Sequence, residues 1–365
     1  MTLIALLAGL CITIQSDSLE KVSGDRGTTS ISYVVQTKLD TTLFYNLAKQ
    51  IKDGDFGNIN SLIVYKNDQL VYEEYYSRKK EKSLSNKVHG LQSATKSVAS
   101  LLIGILKDKG YIKSIDEKIV TFFPEYNFQD SLKQTITIRH LLLMSSGISW
   151  NEDKVNLKDG KRNDIRLLNE SKDYLKYYFD KPMDTVPGTV FQYSGGCSIA
   201  LGEIIKRASG MTVELFANKF LLEPLGITKY EWVKSKSGQY NTGGGLYISP
   251  KDFAKLGLMT INKGKWNGQQ IISESWIQES FSPHIKTDRK NGLGDYFDYG
   301  YQWWTIKMDE IETISARGWG DQRLVVIPNL DMVVVVNATN FFDKGFKYNI
   351  DELLLAVLRT NVTAK

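Results

Sequence analysis

Cysteine and histidine are scarce in this chain, which has two cysteines and three histidines among 365 residues. Cys11 lies in an apolar N-terminal run that export would remove, and Cys197 would then stand alone. No internal disulfide is therefore expected, and the fold must be held by packing. So few ligand residues also argue against a metal centre. The sequence contains no HExxH, P-loop or GxGxxG pattern, so we expect no metal ion, nucleotide or other cofactor.

A strong excess of one charge is also missing. The 46 basic residues nearly balance the 41 acidic ones, which leaves a formal charge of +5, and both kinds are interspersed along the chain. A surplus this small does not indicate nucleic-acid binding. Apolar residues make up 42% of the chain, enough to bury a large core. We therefore expect a globular protein that does not bind nucleic acid; the sequence does not indicate its oligomeric state.

The N-terminus is a short segment without charge. Its length and apolarity predict a signal peptide over residues 1–16, followed by a polar tether over residues 17–39, and hence a periplasmic or extracellular protein. No Lys or Arg precedes the apolar run, so a cytoplasmic location stays open as the alternative. The segment is too short to span a membrane comfortably, and only an uncleaved N-terminus would bring the protein to one.

Strand and helix patterns divide the rest of the chain into three parts. Apolar periodicity predicts helices over 41–53, 93–109, 138–144, 198–208 and 213–220, and a last one carrying Ile350, Leu353, Leu354, Val357 and Leu358. β-rich runs predict strands over 61–65, 70–76, 299–306, 324–328 and 332–337. Because strands occur at both ends, we predict an α/β (α+β) fold with one antiparallel sheet built from both chain ends and flanked by helices. Residues 40–114 and 251–365 would form the sheet subdomain and residues 115–250 an inserted helical one, within one catalytic domain over 40–365.

A serine and a lysine three residues apart open the second predicted helix. In Ser93-Ala94-Thr95-Lys96 both side chains share one helix face, so the amine can activate the hydroxyl as a nucleophile. A helix N-terminus also offers backbone N–H groups to an oxyanion. The same spacing recurs by chance at residues 18–21 and 77–80, in polar surroundings. Lys96 differs because residues 97–106 carry no charge, so it enters a buried helix where a purely structural lysine would be costly.

Two further segments contain candidate functional groups. Residues 187–196 deliver Tyr193 beside two glycines at the start of a helix, where its phenol could relay a proton or simply pack. Residues 316–322 form a glycine-rich entry to a late strand. Their backbone could donate hydrogen bonds to a substrate, or the segment could be a tight turn or bulge.

The order of these segments resembles the penicillin-recognising serine hydrolases, which include class C β-lactamases, D-alanyl-D-alanine carboxypeptidases and related esterases. The resemblance covers about residues 60–340 and is closest to the 6-aminohexanoate-dimer hydrolase and esterase-like branch. Its matching segments are residues 89–97, 137–147, 243–246, 251–257 and 325–335. It implies a β-lactamase/DD-peptidase-like fold and an acyl-enzyme on Ser93. Lys96 would be the activating base and Tyr193 the proton relay.

The resemblance also implies an oxyanion site between the Ser93 N–H and a backbone N–H near Asp321 or Gln322, in a segment that includes Trp319 and Gly320. Three departures from the family pattern bear on the substrate. Gly195 stands where the Tyr-x-Asn motif has its asparagine, the lysine of the Lys-Thr-Gly element is missing near Trp319, and Asp321 replaces a glycine. These changes favour esters or simple amides over β-lactams, and no deacylating glutamate can be assigned.

Aromatic residues near the matched motifs are candidates for the acyl pocket, with core packing as the alternative for each. They are Trp150, Tyr301, Trp303 and Trp304, and Gly195 is included because it leaves space for a substrate. The leading interpretation is an esterase or amidase that acts on a small-molecule ester or amide substrate. A β-lactamase or D-amino-acid peptidase of the same fold, and a non-catalytic ligand-binding module, stay open as alternatives.

Overall fold

A computed structural model describes residues 4–7, 10–13, 41–76, 87–126, 128–152, 163–341 and 345–360. The chain divides into two compact units, Met1–Lys38 and Leu39–Lys365. In the first unit, strands β1 (Ile4–Leu7) and β2 (Leu10–Thr13) pair antiparallel. The rest of the predicted signal peptide and the whole predicted tether lie outside the described residues. Within the described parts of the chain, no helix is long and apolar enough to cross a membrane.

An eight-stranded antiparallel sheet dominates the second unit and combines strands from both chain ends, as the sequence predicts. Its order is β10-β11-β12-β13-β14-β15-β3-β4. The strands are β3 (Ile59–Lys66), β4 (Gln69–Tyr75), β10 (Ile285–Lys290), β11 (Tyr296–Tyr299), β12 (Trp304–Met308), β13 (Ile311–Gly318), β14 (Gln322–Ile327) and β15 (Met332–Ala338). Early and late segments meet where β15, buried along its whole length, pairs with β3. The β-branched residues of β15 suit this central, two-sided burial.

Two turns of the sheet differ in how well the sequence predicts them. Asn67 and Asp68 join β3 to β4 with positive φ angles of 49° and 58°, which such two-residue turns require. The single strand predicted over 299–306 is wrong, because the chain turns between β11 and β12. Gln302 is buried in that turn and donates to the carbonyls of Leu141 and Leu142, which holds the turn against the helical region.

Ten α-helices surround the sheets in the described residues. They are α1 (Thr41–Asp53), α2 (Thr95–Asp108), α3 (Ile138–Leu142), α4 (Asp164–Glu170), α5 (Tyr174–Phe179), α6 (Gly195–Ser209), α7 (Val213–Ala217), α8 (Pro250–Ile261), α9 (Glu274–Phe281) and α10 (Ile350–Arg359). Helix α2 is buried from Thr95 to Leu106, as its uncharged sequence predicts. The helix predicted over 213–220 instead ends at Ala217 and continues as a π-helical turn, Asn218–Leu222.

The middle of the chain is mostly helical and also holds a small sheet. Strand β7 (Leu246–Ile248) pairs there with β6 (Glu231–Trp232) on one side and with β5 (His89–Gly90) on the other, and β5 comes just before the candidate nucleophile. A separate two-stranded ribbon consists of β8 (Lys265–Trp266) and β9 (Gln269–Gln270). Because Leu39–Lys365 forms one compact unit, the predicted subdomain boundaries near residues 114 and 250 stay predictions.

Candidate active site

Ser93 lies on a short helical turn at the head of α2. The predicted helix start at Ser93 is corrected in detail: Gln92–Ala94 is a 3₁₀ turn, and the α-helix begins at Thr95. The preceding residue, Gln92, has a φ of +51°, a conformation that costs energy for any residue other than glycine. This backbone arrangement presents Ser93 at the end of the buried helix.

Lys96 is fully buried one turn further along, with its amine beside the Ser93 hydroxyl. Lys96 Nζ lies 2.9 Å from Ser93 Oγ and donates to the carbonyl oxygen of Gly243 at 2.8 Å. The predicted i, i+3 proximity is therefore present. The second bond reaches the Gly243-Gly-Gly segment, one of the matched motifs.

Tyr193 completes the group from the residue before the N-cap of α6. Lys96 Nζ lies 4.8 Å from the centre of the Tyr193 ring, and the Ser93 and Lys96 side chains are near enough to the Tyr193 hydroxyl to influence its pKa. Trp304 packs against the same ring with centroids 5.5 Å apart. The next residue, Ser194, caps α6 by accepting from the N–H of Cys197. The three predicted catalytic side chains thus converge at one point.

Glu152 is a fourth polar residue at this point, and the sequence analysis missed it. One carboxylate oxygen lies 3.7 Å from Lys96 Nζ, and only 8% of the side chain is exposed. The other oxygen accepts from the Gly195 N–H at 2.6 Å and from the Trp150 indole at 2.9 Å. No spacing rule connects position 152 to position 195. The available sequence signal for Glu152 was only that an acidic residue follows Trp150, a candidate pocket residue, by two positions.

The pKa shifts of this group favour a charged lysine and a neutral tyrosine. Burial alone lowers the pKa of Lys96, but its interactions with Tyr193 and Glu152 outweigh burial and raise that pKa above its ordinary value. Burial raises the pKa of Tyr193 despite the opposing effect of Lys96. At neutral pH the resting site therefore holds a charged ammonium and a neutral phenol.

The predicted oxyanion segment forms the turn between β13 and β14. Gly318 is the residue of this turn that meets the nucleophile segment, since a Cβ there would lie 2.1 Å from the Leu91 carbonyl oxygen. The side chain of Asp321 accepts from Arg323 at 2.8 Å and from Asn340 at 3.0 Å. Gln322 is buried and donates to the carbonyls of Gly320 and Ala338. The side chains of Asp321 and Gln322 therefore hold the turn in place. The candidates for binding the oxyanion in this segment are its backbone N–H groups.

The predicted pocket residues fall into two groups. Trp150 and Gly195 contact Glu152, while Trp304 packs on Tyr193. Tyr301 is buried elsewhere, where it stacks on His284 and accepts from Arg139. Trp303 is buried against Phe281. The predicted core alternative fits the contacts of Tyr301 and Trp303.

Two surrounding features complete the site. Arg289, on β10, places its guanidinium 5.6 Å from the centre of the Tyr193 ring, a neighbour that the sequence analysis did not predict. The exposed Trp319 packs edge-on against Phe341, outside the buried group. Across the described ranges no cluster of three or more His, Cys, Asp or Glu residues could hold a metal ion.

The fold and the convergence of a serine, a lysine and a tyrosine at one point are typical of the serine hydrolases related to β-lactamases. The family model described as Beta-lactamase matches residues 60–358, and the chain belongs to that family. The resemblance to this superfamily is thereby confirmed, and the curated relatives described next support its esterase-like branch.

Individual relatives are distant. The chain is 24% identical over 264 residues to the 6-aminohexanoate-dimer hydrolase of Paenarthrobacter ureafaciens, an alignment that covers 68% of this chain and 65% of the relative. It is 24% identical over 160 residues to esterase EstB of Burkholderia gladioli, covering 41% of this chain and 40% of the relative. The chain thus spans less than two thirds of the length of either curated relative.

The fold is also found in solved structures. A Bacillus anthracis protein assigned as a 6-aminohexanoate-dimer hydrolase superposes with a TM-score of 0.71 at 19% identity, covering 93% of this chain and 88% of that one. This likeness shows the shared fold.

Proposed function

We propose that the protein hydrolyses an ester or a simple amide through an acyl-enzyme on Ser93, with Lys96 and Tyr193 moving the protons. The observation that carries the proposal is the 2.9 Å contact between Lys96 Nζ and Ser93 Oγ, with the Tyr193 hydroxyl near the same two groups. A serine hydroxyl needs such a neighbour to become nucleophilic.

Ser93, Lys96 and Tyr193 can together carry out every proton transfer that the proposed reaction requires. When the Lys96–Tyr193 pair has lost one proton, it takes the Ser93 proton as Oγ bonds to the substrate carbonyl carbon. The pair then gives that proton to the leaving oxygen or nitrogen as its bond to the carbonyl carbon breaks. Water next attacks the acyl carbon and gives a proton to the pair, which returns it to Ser93 Oγ as the bond between Oγ and the acyl carbon breaks. The acid is released, and the pair ends as it began.

The substrate proposal comes from the groups around the site. Position 195 has no side chain, and no lysine lies in the turn from Trp319 to Asp321. The groups that the resemblance associates with binding β-lactams are therefore missing, while the three residues of acyl transfer are present. The names of the curated relatives, an aminohexanoate-dimer hydrolase and an esterase, agree with this preference.

A covalent label tests the nucleophile directly. The full chain is incubated with a fluorophosphonate, and the modified residue is located by mass spectrometry. We expect one adduct on Ser93, none in Ser93→Ala, and a melting temperature of Ser93→Ala close to that of the parent. Absence of an adduct in folded protein, or activity that survives in Ser93→Ala, would refute the proposal.

A substrate panel then orders the alternatives. It contains p-nitrophenyl esters, aminohexanoate oligomers, D-peptides and nitrocefin. We expect the highest kcat/KM on an ester or a simple amide. Fastest turnover of nitrocefin or of a D-peptide would instead support a β-lactamase or peptidase. Reversible binding without a covalent intermediate would support the non-catalytic module.

A further inference from the structure

Glu152 is held at the active site by its neighbours on both sides. Its carboxylate is anchored on the Gly195 N–H at 2.6 Å and on the Trp150 indole at 2.9 Å. Its own carbonyl accepts from the Asn163 side chain at 2.7 Å, and the preceding N–H, of Asn151, donates to Asp164 at 2.6 Å. These contacts fix both the backbone and the head group of Glu152.

The absence of a side chain at position 195 makes room for this carboxylate. A Cβ at Gly195 would lie 2.7 Å from Ile165 Cδ1 and 3.1 Å from Glu152 Oε2. A larger residue there would have to displace both groups. The position of the buried Glu152 carboxylate therefore depends on glycine at position 195.

We propose that Glu152 is a positioning residue for the reaction at Ser93: its anchored carboxylate holds the Lys96 ammonium beside the Ser93 hydroxyl and balances its charge. The 3.7 Å separation between Glu152 Oε1 and Lys96 Nζ, both nearly inaccessible to solvent, supports this role. A buried charge without a partner is costly, so Glu152 makes it feasible to keep an ammonium in this place. The inference rests on the proposed acyl-enzyme function, since it assigns a role around the same serine.

The surrounding charged groups set the direction of the pH effect. Lys96 faces Tyr193 and Glu152; Arg289 lies over the Tyr193 ring, and Tyr299 is buried behind it. Tyr193 and Glu152 both raise the pKa of Lys96. Replacing Glu152 by glutamine removes one of these effects, so the pKa of Lys96 falls. The rate of serine acylation should then begin its rise at a lower pH.

The experiment compares Glu152→Gln, Glu152→Asp and a surface control, Glu274→Gln, whose carboxylate pairs with the exposed Lys263. The second-order rate of fluorophosphonate labelling at Ser93 is measured from about pH 6 to about pH 11.5, a range that extends past the ordinary lysine pKa of about 10.4. Melting temperature is recorded for each variant. We expect Glu152→Gln to label about 10- to 100-fold more slowly at its optimum, the loss typical of a missing partner to a charged group. Its rising limb should move to lower pH.

Glu152→Asp keeps the charge on a shorter side chain, so it should keep the parental pH profile with a smaller loss of rate, and Glu274→Gln should match the parent. A parental rate and an unchanged profile in Glu152→Gln would overturn the inference while leaving the proposed function intact. A lower rate with an unchanged pH profile in both Glu152 variants would show that Glu152 only packs against its neighbours. That result would also overturn the inference. Failure of the parent itself to label would be the failure of the proposed function.

Discussion

Lys96 Nζ makes two hydrogen bonds that point in different directions, to Ser93 Oγ at 2.9 Å and to the carbonyl oxygen of Gly243 at 2.8 Å. A carbonyl can only accept, so one amine hydrogen is directed at Gly243 whatever the state of Ser93. The Gly243 carbonyl therefore restricts where the amine can go, and the remaining hydrogens are left for Ser93 and Tyr193. The lysine is oriented by a loop 147 positions away in sequence.

Two substitutions of Lys96 distinguish the effect of its charge from the effect of its capacity to exchange a proton. Lys96→Arg keeps a positive charge that cannot be given up, while Lys96→Met removes it. We expect both variants to lose about 100-fold or more in kcat/KM on a p-nitrophenyl ester, the contribution typical of a general base. Steady-state kinetics on the two purified variants gives the comparison. Near-parental turnover by Lys96→Arg would mean that Lys96 acts through charge alone.

Tyr193 should matter most when the leaving group is poor. In Tyr193→Phe the phenol that interacts with Ser93 and Lys96 is gone, while the contact with Trp304 is kept. Protonation of the leaving group is needed for an alkyl ester or an amide but much less for p-nitrophenolate. We expect the loss of kcat/KM to be about tenfold larger on an alkyl ester than on the p-nitrophenyl ester of the same acid. Equal losses on both esters would assign Tyr193 to positioning of the serine instead.

The sheet was predictable because its strands carry strong local signals. β15 is a run of β-branched residues, and the composition of Asn67-Asp68 predicts a turn. The split between β11 and β12 was not predictable, because the buried Gln302 is satisfied by the distant Leu141 and Leu142 carbonyls. Tertiary contacts of this kind override the continuous apolar pattern.

The same contrast applies to the candidate site. Ser93 and Lys96 are close in sequence, so local geometry predicts their contact. Glu152 contacts Lys96 directly and is anchored by the N–H of Gly195, 43 positions further on, and neither periodicity nor spacing predicts these contacts. The positive φ of Gln92 is likewise set by tertiary structure, so the 3₁₀ turn at Ser93 was not visible in the helix pattern.

A buried ion pair that includes Arg317, a residue of the predicted oxyanion segment, should make stability depend on pH. Asp351 accepts from Arg317 at 2.9 Å and 3.1 Å. Burial alone raises the pKa of Asp351, but Arg317 and Arg323 outweigh it and hold that pKa below its ordinary value of 3.8. A carboxyl with a depressed folded-state pKa stabilises the protein above its unfolded-state pKa. That stabilisation is lost as the pH falls through the folded-state value.

Urea unfolding of Asp351→Asn from neutral to acidic pH measures this contribution. We expect a loss of about 3 kcal/mol in the free energy of unfolding near neutral pH, since one partner of a buried pair is removed. The difference from the parent should shrink below the ordinary pKa of 3.8. The control Asp309→Asn breaks an exposed pair with Arg359 and should cost less than about 1 kcal/mol. A pH-independent difference for Asp351→Asn would show that shape rather than charge matters there.

Position 195 offers the sharpest test of how the site is built, because its missing side chain and Glu152 occupy adjacent space. Gly195→Asn alone should reduce fluorophosphonate labelling of Ser93, since its Cβ would meet Ile165 Cδ1 at 2.7 Å and Glu152 Oε2 at 3.1 Å. Glu152→Ala alone should also reduce it, by removing the partner of Lys96. In the triple variant Glu152→Ala, Ile165→Val, Gly195→Asn, both obstructing groups are gone and an amide oxygen can face the ammonium.

The triple variant should therefore label faster than Glu152→Ala with Ile165→Val, which is its matched background. Such a gain is a departure from additivity, and it is expected only for residues that share a partner. Thermal denaturation of all four proteins separates a loss of folding from a loss of reactivity. A triple variant that is folded but no faster than its background would show that a polar side chain at 195 cannot replace Glu152, and that the carboxylate charge itself is what Lys96 requires.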